Sequence, residues 1–335
     1  MGELIGYVAC GELAERKPMK IPTLIALLLS LYAMTGLSAE KVSLAERLGY
    51  KATDKILIVN GDDTGMCHAA NVATIESLEK GLMRSATIMV PCPWFPEIAA
   101  YAKQNPKQDF GIHLCHTSEW VKYRWGPVAA RDKVPGLLDP EGYLWRGVEE
   151  VYKNAKPEEA LSEGREQIKR ALTAGIDVTH IDSHMGTLQL HPEYLKVYLH
   201  LAVEFDLPAR MASQETLTRA GHPELRQQFS ARGILFPDYF VYDELKDEKD
   251  GVKDFWLRIV KNLKPGVTEL YIHAALPTDE LKAITGSWST RAQEYEVFTN
   301  DEDMKRLIKE QNIILMGYRP IRELHRSERK NSGVK

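Results

Sequence analysis

Two adjacent carboxylates stand where an apolar run ends. Asp62 and Asp63 closely follow residues 56–59, which are all apolar and mostly β-branched. Such a run predicts a strand buried on both faces, as in a parallel sheet. Two ionised carboxylates that are partly buried repel each other, and a bound divalent cation is the simplest compensation. The alternative is a turn in which an aspartate caps the helix that begins near His68.

Histidines occur in or at the end of three other strand-like runs. His113 and His273 belong to two of them, and the third carries the alternating row His180, Asp182 and His184. Alternate residues share one face of a strand, so this row can supply a metal ligand together with its hydrogen-bonding partner. Aspartate and neutral histidine suit a hard or borderline divalent cation. The alternative for a single strand histidine is a hydrogen-bonded core residue.

The elements that must position these residues alternate between strands and helices along the chain. This order predicts βα units around a parallel sheet, and seven or eight units without an internal linker favour a distorted (β/α) barrel. The carboxyl ends of all barrel strands lie on one face, so the polar residues should converge there. No GxGxxG follows the first strand, which disfavours a dinucleotide site. The predicted strands or apolar runs are 56–63, 86–90, 109–115, 177–184, 207–211, 234–242, 267–273 and 313–316, and the predicted helices are 69–80, 95–104, 157–174, 192–205, 251–263 and 302–310.

A long connection at residues 116–157 is rich in aromatic residues. A connection of this length inside a compact domain is usually functional. Its aromatic side chains predict a platform for sugar rings, or alternatively pack the connection onto the barrel. Arg210 could orient a catalytic group, although a surface salt bridge explains it equally well. The candidate platform residues are Trp120, Tyr123, Trp125 and Trp145.

Composition indicates an ordinary globular domain. Hydrophobic residues make up 44% of the 335-residue chain and the net charge is −4, which disfavours nucleic-acid binding. Of the four cysteines, Cys10 lies in the predicted leader described below. The other three, Cys67, Cys92 and Cys115, are an odd number, so no complete disulfide framework is expected and each is interpreted as a small core residue. We predict a single catalytic domain over residues 40–325 and a basic disordered tail over residues 326–335.

The N-terminal residues resemble an export signal. Basic residues precede an apolar run at 21–37, and small residues including Ala39 follow it. Residues 1–18 are polar, so Met19 is the better initiator. We therefore predict that residues 1–39 combine an N-terminal extension with a signal peptide, and that the protein is periplasmic or secreted. An uncleaved leader that anchors the protein in the membrane is the alternative.

Three motifs together are specific to a known family. Residues 60–65 read Asn-Gly-Asp-Asp-Thr-Gly, residues 111–114 read Gly-Ile-His-Leu, and residues 180–184 read His-Ile-Asp-Ser-His. In order and spacing they resemble the YdjC-like carbohydrate deacetylases, the ChbG/HpnK group, which are distant relatives of polysaccharide deacetylases. The resemblance covers residues 53–320. It implies a distorted α/β barrel and the metal-dependent removal of acetyl groups from N-acetylated sugars or oligosaccharides.

The resemblance also implies roles for individual residues. Asp63, His113 and His184 would hold one divalent metal ion, either Mg²⁺ or Zn²⁺. Asp62 would be the general base, and His273 matches a late family histidine that is a candidate general acid. The supporting residues would be His180, Asp182 and Arg210.

The sequence departs from the family pattern in three segments, and these departures concern the substrate and the proton donor. Residues 274–275 are Ala-Ala instead of Pro-Gly, Met185 replaces a second histidine, and residues 116–117 are His-Thr instead of Leu-Thr. A metal-dependent hydrolase of another amide or ester, or a non-catalytic carbohydrate-binding protein, are the alternative functions. The sequence leaves the oligomeric state open, a homodimer included.

Overall fold

The computed structural model describes residues 42–242 and 251–332, and the side chains up to residue 330. The described residues from Ser43 onward form one compact unit. The predicted leader at residues 1–39 lies outside the described part of the chain. The strands are β1 Lys55–Thr64, β2 Ser85–Ile88, β3 Phe110–Leu114, β4 Val178–Ser183, β5 Tyr239–Phe240, β6 Gly266–Ile272 and β7 Ile314–Leu315.

Helices surround the strands. Within the described residues no helix combines the length and the apolar content needed to cross a bilayer. The helices are α1 Leu44–Arg47, α2 His68–Lys80, α3 Phe95–Gln104, α4 Val148–Asn154, α5 Pro157–Thr173, α6 Pro192–Glu204, α7 Gln214–Arg219, α8 Leu225–Ala231, α9 Gly251–Lys261, α10 Asp279–Ile284, α11 Trp288–Thr299, α12 Glu302–Glu310 and α13 Arg319–Ser332.

The strands form one parallel sheet that curls into a half-barrel. Its order is β4-β3-β2-β1-β6-β5, and β7 pairs with the first half of β1. Every strand pairing is parallel, which confirms the predicted α/β class. Strand β1 lies at the centre, and its residues from Ile56 to Thr64 are buried, as its apolar sequence predicts. The carboxyl ends of all the strands therefore lie at the same edge of the sheet.

Two of the predicted strands are much shorter in the structure than in the prediction. Residues 207–211 form only a single bridge, from Ala209 to Ile181 beside β4, and the run 234–242 contains only the two residues of β5. Pro208 and Pro237 lie in these runs and have no N–H group to donate to a ladder. The curved sheet is consequently irregular between β4 and β5.

The structure differs from the prediction of a disordered tail over residues 326–335. Helix α13 continues through residues 326–332, where a disordered tail was expected. Its Arg329 lies against α6, donating to the carbonyl of Val203 and pairing with Asp206 at 2.9 Å. His325, one turn earlier, is buried. The basic residues of this segment thus make contacts with the body of the protein, which the charge pattern alone does not reveal.

Candidate metal and catalytic site

Strand β1 ends in a distorted segment that separates its two carboxylates. The pairing of β1 with β2 shifts register between Gly61 and Thr64. Asp63 has a φ of 60°, in the left-handed region that aspartate enters more readily than most residues. The Asp62 and Asp63 side chains are both buried, and each is paired with a different arginine.

Three side chains meet at the carboxyl edge of the sheet. His113 Nε2 and His184 Nδ1 each lie 3.3 Å from Asp63 Oδ1, and 3.2 Å from each other. Asp63 Oδ1 is buried and has no hydrogen bond of good geometry. Ligands about 2.0–2.1 Å from a tetrahedral ion are about 3.3–3.4 Å apart, so this triangle has the spacing of a metal-binding face. The donor set of one carboxylate and two imidazoles fits a divalent cation.

Strand β4 supports this triangle from its neighbouring position. His113 and Asp182 are paired across β3 and β4. His113 Nδ1 donates to Asp182 Oδ1 over 2.6 Å, and Thr87 donates to the other oxygen over 2.9 Å. A carboxylate only accepts, so Nδ1 of His113 carries a proton and Nε2 is the nitrogen that could ligate an ion.

His180, the first residue of the alternating row, has a different environment. Its ring stacks on Tyr318 with a centroid separation of 3.7 Å, and Thr179 is its hydrogen-bonding partner. The structure therefore brings Asp182 and His184 of the row to the triangle and places His180 against the C-terminal segment.

Arg210 is buried and holds Asp62 by two bonds. Its two terminal nitrogens each donate to one Asp62 oxygen over 2.7 Å, and its Nε donates to Glu269 over 2.8 Å. This excludes the surface salt bridge as an explanation of Arg210. Burial alone would raise the pKa of Asp62, but the guanidinium holds it well below its usual value. Asp62 is consequently an ionised acceptor at neutral pH.

Arg291, on helix α11, pairs with the second oxygen of Asp63. Its Nη2 donates to Asp63 Oδ2 over 2.7 Å, and its guanidinium lies over the ring of Trp120 at 5.8 Å. Sequence reasoning missed this residue because α11 has no clear apolar period and Arg291 belongs to no motif. Only the fold brings it to the site.

His273 lies beside the triangle and is partly accessible. Its Nε2 is 3.9 Å from Asp63 Oδ2, and its side chain is 31% exposed. Its backbone N–H donates to Glu294 over 2.7 Å, which fixes this end of β6 against α11. Burial, opposed by Asp63 and assisted by the nearby Arg291 cation, lowers the pKa of His273 to about 4. The imidazole is therefore neutral at pH 7.

The pKa values of His184 and His113, the two histidines of the triangle, are raised, in contrast to that of His273. Burial would lower the pKa of His184, but Glu119 and Asp63 raise it to about 9. The Asp182 carboxylate raises the pKa of His113 well above its ordinary value in the same way. Both shifts favour protonation of the rings, so a cation bound here would have to displace protons from them.

The predicted sugar platform divides into buried and accessible parts. Trp125 is only 3% exposed and packs against Trp120 and His184, so the packing interpretation applies to it. Trp120 and Tyr123 are half-buried beside it, and the Tyr123 hydroxyl donates to the carbonyl of Met66. Trp145 donates to the carbonyl of Gly136 over 2.7 Å, within the long connection itself.

Residues 56–310, which include the whole cluster, match the family model described as YdjC-like protein. This chain belongs to the YdjC-like family. A carbohydrate deacetylase of Thermoanaerobacter pseudethanolicus is 31% identical over 265 residues, which are 79% of this chain and 98% of the relative. A carbohydrate deacetylase of Brevibacillus brevis is 33% identical over 263 residues, covering 78% and 98%.

A solved structure resembles the YdjC-like fold of this chain. It is the crystal structure of an Enterococcus faecalis V583 protein described as a candidate cellobiose-phosphate cleavage protein. The two share 28% sequence identity with a TM-score of 0.68, and the match covers 80% of this chain and 99% of the other.

Proposed function

We propose that this protein is a metal-dependent carbohydrate deacetylase that hydrolyses the N-acetyl group of an amino sugar or oligosaccharide. The observation that carries the proposal is the buried triangle of Asp63, His113 and His184, with the ionised Asp62 beside it. The names of the family relatives support the substrate class. The products would be acetate and a free amine.

The triangle would hold one divalent ion, either Mg²⁺ or Zn²⁺. When bound, such an ion supplies a Lewis acid for the acetyl carbonyl and lowers the pKa of water. Asp62 would accept the proton of the attacking water, because Arg210 keeps its carboxylate ionised and fixed in direction. Arg210 thereby acts on the reaction through Asp62.

His273 is the proposed proton donor to the leaving amine. Its position beside Asp63 and its partial exposure allow contact with a bound substrate. A neutral imidazole must gain a proton before it can donate one, and the Asp62 and Asp63 carboxylates favour that gain. The partly exposed His273 would take its proton from solvent and pass it to the leaving amine. Asp62 would return the proton of the attacking water to solvent, so that the amide and water give acetic acid and the amine and both residues end in their starting state.

The test is acetate release from di-N-acetylchitobiose and longer N-acetylated oligomers, using the chain from residue 40 onward. The reaction is run with a chelator and then with Mg²⁺, Mn²⁺, Co²⁺ or Zn²⁺ restored separately. We expect release that the chelator abolishes and one metal restores. Hydrolysis of simple esters alone would favour a different acyl substrate, and binding without product would favour a carbohydrate-binding protein.

We also propose that the protein is exported through residues 1–39. The basic residues, apolar run and small residues of this segment support the proposal. N-terminal sequencing of the protein recovered from the periplasm or the medium should begin near residue 40. Recovery of the uncleaved chain in the membrane fraction would support an anchor instead.

A further inference from the structure

A carboxylate from the long connection contacts the second ring nitrogen of a triangle histidine. Glu119 Oε2 lies 2.9 Å from His184 Nε2, and its side chain is 23% exposed. Glu119 is not part of any of the three sequence motifs, and it lies five residues after the end of β3 at Leu114. The contact is therefore a product of how the connection folds over the sheet.

The contact determines which nitrogen of His184 is free. A carboxylate can only accept a hydrogen bond, so the proton must be on Nε2. This leaves Nδ1, the atom that lies 3.3 Å from Asp63 Oδ1, with its lone pair directed into the triangle once the ring is neutral. His113 has the complementary arrangement, because Asp182 holds its proton on Nδ1 and leaves Nε2. Two carboxylates thus fix two histidines in opposite tautomers.

The segment around Glu119 is anchored on both sides. The Ser118 N–H donates to the carbonyl of Trp145 over 2.7 Å, and the Ser118 hydroxyl accepts from the N–H of Trp125 over 3.0 Å. On the other side Trp120 lies against Arg291, the residue that holds the second oxygen of Asp63. The partly exposed Glu119 side chain is consequently presented from a fixed backbone.

We propose that Glu119 is a positioning residue of the metal site, which fixes the tautomer and ring orientation that present His184 Nδ1 to the ion. The proposal rests on the metal dependence proposed above. It makes the long connection a structural part of the metal site as well as a candidate sugar-binding surface. Carboxylate partners of metal-bound histidines typically change metal affinity 10–100-fold when removed.

The first experiment measures metal affinity of the full chain by calorimetric titration, using the metal that the wild type binds most tightly. We expect Glu119→Ala to bind about 10–100-fold more weakly than the wild type, because it removes the acceptor for the His184 Nε2–H. Glu119→Gln keeps the side-chain volume and a neutral amide oxygen that can still accept, so its affinity should lie between those of the wild type and Glu119→Ala. A folded Glu119→Ala protein within twofold of wild-type affinity would overturn the proposal.

Glu204→Gln is the matched control. Glu204 also faces a histidine, since its Oε2 lies 3.3 Å from His200 Nε2 on the surface of α6. This substitution removes the same kind of contact outside the site and should leave metal affinity unchanged. Thermal unfolding of each variant without metal verifies that it is folded.

The second experiment observes the histidine N–H protons directly, by NMR of the zinc-loaded protein with ¹⁵N-labelled histidine. We expect a slowly exchanging Nε2–H signal of His184, assigned by its absence in His184→Ala. In Glu119→Ala at saturating zinc this signal should be lost, while the Nδ1–H signal of His113 stays. A His184 signal unchanged in Glu119→Ala would refute the assigned role.

Different outcomes would contradict the proposed metal dependence and the proposed role of Glu119. A folded wild type that binds none of the tested metals contradicts the metal dependence itself. A wild type that binds metal, together with Glu119 variants of equal affinity, contradicts only the role of Glu119.

Discussion

At the scale of single residues, the site resolves the repulsion between Asp62 and Asp63 by giving each its own arginine. Arg210 holds the first carboxylate by two bonds, and Arg291 holds one oxygen of the second. The remaining oxygen of Asp63 is the one without a hydrogen bond. The two neighbours can therefore have different roles, one as a proton acceptor and one as a metal ligand.

A substitution at each aspartate should separate these roles. Asp62→Asn removes the proton acceptor and should lower the rate of acetate release about 10²–10⁴-fold while the metal stays bound. Asp63→Asn removes a proposed metal ligand and should lose metal and activity together. Acetate assays and the metal content of the purified variants check both outcomes. Normal turnover in Asp62→Asn would contradict its assignment as general base.

Metal binding should release protons from the triangle histidines. In the metal-free protein the pKa of His184 is raised to about 9, so the ring is protonated at pH 7 and must lose a proton to ligate. Metal affinity should therefore rise with pH up to about 9, by about tenfold per unit for each proton released. Calorimetry at pH 7 in buffers of different ionisation enthalpy should count one or two protons per ion. Binding without proton release would contradict the raised pKa.

The residues that could be predicted from the sequence are those that terminate recognisable strands. Asp62, His113 and His184 follow or end apolar runs, so their types and positions indicated a site before any fold was known. Arg291 and Glu119 could not be found in this way. They come from an unpredicted helix and from an irregular connection, and only tertiary folding brings them into contact with the strand ends.

At the scale of elements, the predictions succeeded where local signals were strong. Helix α5 begins with Pro157 at its first position, and the carboxylate of Glu159 accepts from the N–H of Lys156. Helix α12 begins with Asp301, whose side chain accepts from the N–H of Met304. The short helices α7, α8 and α10 lack enough turns to produce a readable period, and they were not predicted.

Helix α13 contributes to the site through the residue just before it. The Tyr318 hydroxyl donates to Glu269, which in turn accepts from Arg210, the partner of Asp62. This chain of contacts joins Tyr318 to the proposed general base, Asp62. Tyr318 lies beyond residue 310, where the family match ends.

The substitution Tyr318→Phe should destabilise the protein. It leaves one oxygen of the buried Glu269 without its donor, which costs about 1–3 kcal/mol of unfolding free energy. Urea unfolding followed by fluorescence measures the change. Tyr242→Phe, at a side chain that is 58% exposed, is the matched control and should stay within about 0.5 kcal/mol of the wild type. Equal effects of the two substitutions would show that the hydroxyl contact is unimportant.

At the scale of the whole molecule, the core of the described residues encloses three thiols. Cys67, Cys92 and Cys115 are buried and free. Burial raises the pKa of Cys67 to about 11 and places those of Cys92 and Cys115 well above their ordinary value. This agrees with their interpretation from the sequence as small core residues.

These thiols should report global unfolding. In a Cys10→Ser background, iodoacetamide at pH 8 should label none of them in the native protein and all three in urea, because only the exposed thiolate reacts. Mass spectrometry of the intact protein counts the labels. Labelling of a single cysteine without denaturant would reveal a local opening near that residue, contrary to the expectation of one cooperative core.

The parallel α/β class followed from the sequence because buried parallel strands are continuous apolar runs separated by helices. The sequence did not show whether the sheet closes into a complete barrel. Whether residues 207–211 complete a barrel depends on backbone hydrogen bonds, and Pro208 limits these to a single bridge at Ala209. The order of strands within the sheet is likewise a tertiary property, which local periodicity does not encode.

The position of β1 has a consequence for biosynthesis. This central strand leaves the ribosome early, but its partners β6 and β7 occupy residues 266–272 and 314–315. Until those residues emerge, the nascent chain exposes one edge of β1, and such edges promote aggregation. Productive folding of the sheet therefore has to wait until residue 315 has been made. A chain released before residue 314 would lack both the last neighbour of β1 and the Tyr318 contact to Glu269.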